Sequence, residues 1–148
     1  MTQIPLEDRV ALEDLLTSYC LAVDTLSDMD ALLGVFTPDA VCDLSGIGLP
    51  SLHGHEGIRG FFDSVFADMT HHAHFVSNFR VDRYEGDTAS IRAYVMGMGR
   101  SRDGNDVLVY VRYFLDCVRT PDGWKVTRFF EDALMPLPGS LDEIHGKR

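Results

Sequence analysis

Three histidines crowd into four positions of the 148-residue chain, at His71, His72 and His74, inside the run THHAHFVSN at 70 to 78. The run sits in a segment rich in β-branched and aromatic residues, which predicts a strand. Strand side chains alternate between faces, so His72 and His74 share a face and His71 points the opposite way. A histidine titrates near about 6.5 and exchanges a proton at neutral pH, which suits general-base work. His72 and His74 could also ligate a metal. No further histidine or carboxylate stands at recognisable ligand spacing, so neither a metal nor any other cofactor is expected. Tyr19 lies on an apolar helical stripe, where it reads as core packing or as a hydrogen-bond donor. Asp24, five residues on, reads by itself as a helix-end surface acid. On a straight helix the two are turned by about 140°, so both reach one pocket only if it wraps the helix end.

These residues need elements to position them. Between Leu6 and Leu26, Leu12, Leu15, Leu16, Tyr19 and Val23 recur at spacings of three and four, marking an amphipathic helix entered through Pro5. Ser27 then caps a short second helix with Met29, Leu32, Leu33 and Phe36 inward, stopped by Thr37 and Pro38. Ala40 to Leu44 reads as a short strand leaving into a glycine- and proline-bearing loop over 45 to 50. A third helix begins near His55 and turns Ile58, Phe61, Phe62, Val65 and Phe66 to one side. Four strands are then predicted, over 71–83, 88–100, 106–119 and 124–134, separated by the turn sequences EGD, RDGN and TPDG. Helices early and a meander late predict an α+β fold with one curved, mostly antiparallel sheet wrapped around the helices. Residues 1–135 form the domain, and 136–148 read as a loosely held tail.

Composition narrows the function. Thirteen basic against 23 acidic residues give a net charge of −10, which repels phosphate backbones and anionic lipid, so no nucleic acid or membrane partner is expected. The scattered acids read as a solvated surface. Cys20, Cys42 and Cys117 have neither zinc nor redox spacing and read as small buried hydrophobes. The start MTQIPLEDRV resembles no signal peptide, and no later run is apolar enough to span a bilayer. A cytoplasmic protein is the expectation.

The order of elements, with the runs FTPDAV at 36 to 41, GHEGIRGFF at 54 to 62, THHAHFVSN at 70 to 78 and DGWKV at 122 to 126, resembles the SnoaL-like, nuclear transport factor 2-like superfamily over almost the whole chain. That resemblance implies a cone-shaped barrel around an apolar pocket, and a homodimer or higher homo-oligomer. The superfamily holds dehydratases, isomerases, cyclases, epoxide hydrolases and non-catalytic proteins, so fold alone does not give function. Asp24 and His74 fall where the scytalone dehydratase, hexachlorocyclohexane dehydrochlorinase and bile-acid dehydratase branch carries an Asp/His pair, and in the last of these a tyrosine also precedes the aspartate by five residues. The resemblance implies His74 as base, Asp24 as its orienter and Tyr19 as a hydrogen-bond donor. Tyr19 and Asp43 alternatively have the spacing of the tyrosine and aspartate base of ketosteroid isomerase. That enzyme's second acid has no counterpart in VLVYVRYFL, which offers Tyr110, Arg112 or Phe114. The dehydrochlorinase has a lysine where Tyr19 stands and an arginine at Phe129, and the bile-acid enzyme's further aspartate falls at MGMG, 96 to 99, where no acid is present.

Asp43, Asn78, His72, Met96, Tyr110 and Arg112 are therefore expected to line the pocket, alongside Phe75, Tyr94, Met98, Tyr113 and Phe114. The expected function is a cofactor-independent lyase (dehydratase) or isomerase acting on a small hydrophobic cyclic, polyketide-like or steroid-like molecule. Two alternatives stand beside it: a module that binds such a ligand unchanged, and an oligomer-forming scaffold in which the strand residues assigned to the pocket are covered by a partner chain.

Overall fold

The computed structural model describes residues 3–146. The outermost parts of the expected leaderless start and of the tail, residues 1–2 and 147–148, lie outside that range. The chain runs α1 (Leu6–Thr25), α2 (Met29–Gly34), β1 (Phe36–Gly46), β2 (Ser51–His53), α3 (Gly54–Asp68), β3 (Met69–Tyr84), β4 (Thr88–Ser101), β5 (Asp106–Thr120), β6 (Gly123–Ala133) and α4 (Gly139–His145). The α+β expectation holds. The strands form one sheet in the order β2-β1-β6-β5-β4-β3, with β1 parallel to β6 and every other pairing antiparallel. Among the described residues both β2 and β3 keep a free edge, so the sheet is a cone left open rather than a closed barrel. Helices cover its concave side.

Alternation decides what fills the cone. In β4 and β5 the odd-numbered residues are inward, among them Ile91, Ala93, Val95, Val109, Val111 and Leu115, all buried. Leu12, Leu16, Tyr19 and Val23 of α1 pack against them, with Ile58, Phe62 and Val65 from α3. Burying a Leu- or Phe-sized side chain contributes about 1.5–3 kcal/mol, so this shared core is the main force seating α1 and α3 in the sheet. Asp8 adds a directional anchor at the start of α1. Its carboxylate accepts hydrogen bonds from Tyr84 Oη at 2.6 Å, from Arg119 at 2.7 and 3.0 Å, and from Trp124 Nε1 at 3.4 Å.

Several local expectations change. The cap of α2 is Asp28, whose side chain accepts from the Ala31 N–H at 3.0 Å, and not Ser27. Residues 51–53 pair with β1 as a three-residue strand within a segment too short for periodicity to show. The tail carries α4, whose Leu141 and Ile144 are buried against the sheet; two apolar side chains in seven residues gave too little pattern to predict it. Among the described residues no helix is long and apolar enough to cross a membrane.

Candidate functional site

Asp24 stands in the last turn of α1, where the helix dipole disfavours a carboxylate by about 0.3–1 kcal/mol and no basic residue compensates. Its compensation comes from β3. Oδ1 lies 2.5 Å from His74 Nδ1, and Oδ2 accepts the His74 backbone N–H at 3.1 Å. The two side chains are only 12% and 21% exposed, so water competes weakly for these bonds. The carboxylate thus holds the ring and its backbone together, and an acceptor at Nδ1 selects the tautomer with the proton on Nδ1 and a bare Nε2. Among the described residues Nε2 has no hydrogen-bond partner, and the ring lines a narrow cavity of about 80 Å³.

Two glycines make room for this strand. A Cβ on Gly97, opposite His74 in the β3–β4 register, would lie 3.3 Å from His74 Cδ2 and 3.4 Å from Nε2. A Cβ on Gly99, opposite His72, would lie 2.7 Å from His72 Cδ2. The MGMG run therefore does its work through its glycines, which let two imidazoles lie against β4. Two glycines at alternate positions of a strand signal such a close approach, and that signal was present in the sequence.

Tyr19 reaches the same cavity from α1, stacked on Phe129 with ring centroids 4.8 Å apart and meeting Tyr113 edge-on at 5.9 Å. Burial first, then the neighbouring Cys42, pushes its phenol well above the ordinary range, so it remains a protonated donor. The 140° between Tyr19 and Asp24 is accommodated because they act at different depths: Tyr19 lines the cavity, whereas Asp24 sits behind the His74 ring. His72 also lines the cavity, with its ring edge-on to His74 at 5.4 Å. His71 points away, as alternation predicts.

The remaining expected lining residues lie elsewhere. Asp43 is on the outer face of β1, bonded by Arg128 at 3.0 Å and by the Ser45 N–H at 3.0 Å. Hydrogen bonds from Ser45, then Arg128, hold its carboxyl below the usual range. Tyr19 and Asp43 therefore do not share a site, which removes the isomerase-type arrangement. Met96, Tyr110 and Arg112 are even-numbered residues of β4 and β5 and face outward, Arg112 bonded to Asp132 at 2.9 Å. Tyr94 and Phe75 share that outer face; of the aromatic and methionine set, Met98 and Tyr113 line the cavity. Asn78 is exposed in the left-handed region, φ 56°, where the register slips between Ser77 and Arg80. That bulge inserts a residue and reverses the inward parity of β3, so Val81 is buried where Asn78 and Arg80 were expected to face inward.

Sequence reading missed Glu131 of β6 and both Leu141 and His145 of α4, all of which line the cavity. Glu131 is two positions beyond the buried Phe129, so strand alternation from that aromatic marks it as inward. Among the described residues no group of three or more His, Cys, Asp or Glu is arranged to hold a metal.

The family profile of the SnoaL-like domain matches residues 5–129, and the chain belongs to that family. It is 36% identical over 129 residues to an uncharacterized protein of Mycobacterium tuberculosis, covering 85% of each. It is 27% identical over 125 residues to the gamma-hexachlorocyclohexane dehydrochlorinase of Sphingobium indicum, covering 83% of this chain and 78% of that one. A solved structure from Novosphingobium aromaticivorans, described as a candidate aromatic ring hydroxylase, is 60% identical with a TM-score of 0.93, covering 96% of this chain and 99% of its own.

Proposed function

We propose that the protein is a cofactor-independent lyase in which His74 removes a proton from a carbon acidified by a neighbouring carbonyl, with Asp24 orienting the ring and Tyr19 donating a hydrogen bond to the oxygen where charge develops. The observation that carries this reading is the Asp24–His74 contact at 2.5 Å through Nδ1, on an imidazole that lines the cavity. A module that only holds a ligand has no need of that contact. The substrate class is small and largely hydrophobic, since apolar side chains, Val23, Leu44, Ile47, Val107 and Val109 among them, form most of the wall. Base catalysis of this kind contributes roughly 10² to 10⁴ in rate. The dehydrochlorinase relative carries out an elimination, and the proton-abstraction step of such a reaction next to a carbonyl requires a base, an oxygen-stabilising donor and a dry pocket. The hydroxylase description of the 60% identical structure names a different class, in which turnover consumes an oxidant.

The test is a panel of hydrophobic β-hydroxy ketones followed by absorbance of the conjugated enone. His74→Ala should retain the fold and lose at least 10²-fold in kcat/KM, and wild-type turnover should be unchanged under anaerobic conditions. Full activity of the folded variant would refute the assignment.

A second observation bears on assembly. Phe75, Tyr94, Leu108 and Tyr110 expose 41–59% of their surface together on the outer face of the sheet. Soluble monomers rarely leave large contiguous apolar patches uncovered. This supports a homo-oligomer closed over the outer face, which would cover the very residues first assigned to the pocket.

A further inference from the structure

We propose that Glu131 is a second catalytic residue, the acid that protonates a departing oxygen, so that the site takes substrates with a hydroxyl leaving group. The inference rests on the elimination reading above. Glu131 projects inward from β6 and is only 7% exposed, and it lines the same cavity as the His74 ring. Strands β5 and β4 lie between β6 and β3, so acid and base approach from different walls and leave the interval to the substrate. Among the described residues the carboxyl has neither a hydrogen-bond donor nor a cation against it. A buried ionised carboxylate without a partner is costly, and a group in this position keeps its proton.

Its neighbours reinforce that state. Tyr19 and Cys20 on α1, Cys42 on β1 and Tyr113 on β5 surround it, and burial pushes each of these four groups up, so they are neutral at pH 7. The cavity's histidines are His72 and His74 from β3 and His145 from α4. Burial raises the Glu131 carboxyl to about 8. The tyrosines, held well above 10, can lend a hydrogen bond but cannot readily give up a proton. Glu131 can do both near neutral pH, which separates its role from that of Tyr19.

The step balances with the groups present. His74 Nε2 takes the C–H proton, and that electron pair forms the new C=C bond. The C–O bond breaks, and its electron pair leaves on oxygen. The oxygen takes the Glu131 proton and departs as water. The imidazolium then returns its proton to the Glu131 carboxylate through solvent, restoring the site. A chloride or acetate leaving group needs no such proton.

The experiment compares wild type, Glu131→Gln and His74→Ala on 4-hydroxy-4-phenylbutan-2-one and its 4-acetoxy analogue, with thermal midpoints at pH 5 and pH 8. Glu131→Gln should lose about 10² to 10⁴ in kcat/KM on the hydroxy ketone and far less on the acetoxy ketone. It should also raise the midpoint at pH 8 more than at pH 5, because the wild-type carboxyl must either bind a proton or ionise in place. Equal losses on both substrates, or no pH-dependent midpoint difference, would overturn the role of Glu131 and leave the dyad standing. No turnover of either ketone by wild type, or His74→Ala as active as wild type, would overturn the elimination reading itself.

Discussion

Asp24→Asn separates the orienting role of the aspartate from its bulk, because the carboxylate makes two demands that an amide cannot meet together. Oδ2 accepts the His74 backbone N–H at 3.1 Å while Oδ1 faces Nδ1 at 2.5 Å. An asparagine has one acceptor. With its oxygen on the backbone N–H, its NH₂ faces Nδ1, which must then accept; the ring proton moves to Nε2 and the base is lost. A wrong tautomer in a comparable triad costs about 10⁴ in turnover. With the amide flipped, the tautomer survives, but a partly buried backbone donor faces another donor at a cost of about 1–3 kcal/mol, and the imidazolium loses its counter-charge. Either orientation predicts a fall of about 10² to 10⁴ in kcat/KM with the fold intact. The assay is kcat/KM on an accepted β-hydroxy ketone, joined to ¹⁵N NMR of the His74 ring, which should show the proton on Nδ1 in wild type and, in the variant, on Nε2 for the first amide orientation or still on Nδ1 for the flipped one. Activity within threefold of wild type, or an Nε2–H tautomer in the wild-type protein, would refute the reasoning.

Other perturbations probe the parts around the dyad. Gly97→Ala brings a methyl to within 3.3–3.4 Å of the His74 ring and Val109, so the ring must yield by a few tenths of an ångström; kcat/KM should fall about tenfold with little change in Tm, and unchanged kinetics would count against precise placement of the ring. The Asp8 carboxyl is held down at about 2, first by its hydrogen bond from Arg119 and then by that from Tyr84. A depressed carboxyl stabilises the fold above its unfolded value and loses that contribution as pH falls. The Tm advantage of wild type over Asp8→Asn should therefore be full near neutrality and shrink from about pH 4 towards pH 2; a constant gap would contradict the ion pair's role. Tyr110→Glu should dissociate the oligomer in light scattering while leaving the cavity unchanged, and a wild type that already scatters as a monomer would remove the proposed interface.

How much of this could be read from the chain depends on how each signal is encoded. Leu12, Leu16, Tyr19 and Val23 repeat often enough to define α1, and long apolar strands bounded by EGD, RDGN and TPDG set β3 to β6 almost to the residue. Local patterns do not reveal which distant strands pair, so the parallel β1–β6 ladder and the open edge at β2 were not legible. Parity on β4 and β5 was misjudged for a physical reason: Tyr94, Met96 and Tyr110 face outward although they are large and apolar, while small residues such as Ala93, Val95, Gly97, Val109 and Val111 face the crowded interior, with Tyr113 the large aromatic among them. The bulge at Asn78 is a left-handed backbone turn at a residue that tolerates it, and nothing in the alternation announces it. For the site, His74 and Asp24 were found through family resemblance, and their contact resolves the helix-geometry difficulty by placing the aspartate behind the ring. Glu131 was legible by alternation from Phe129 but was masked by its neighbour Asp132, which faces out to Arg112.

The most direct test of the account is hydrogen–deuterium exchange at the carbon next to the carbonyl of a bound hydrophobic ketone, followed by proton NMR in D₂O. Exchange needs the base alone, with no leaving group. Exchange should be accelerated by the wild-type protein and abolished in His74→Ala, whereas acceleration that persists without the imidazole would contradict His74 as the base.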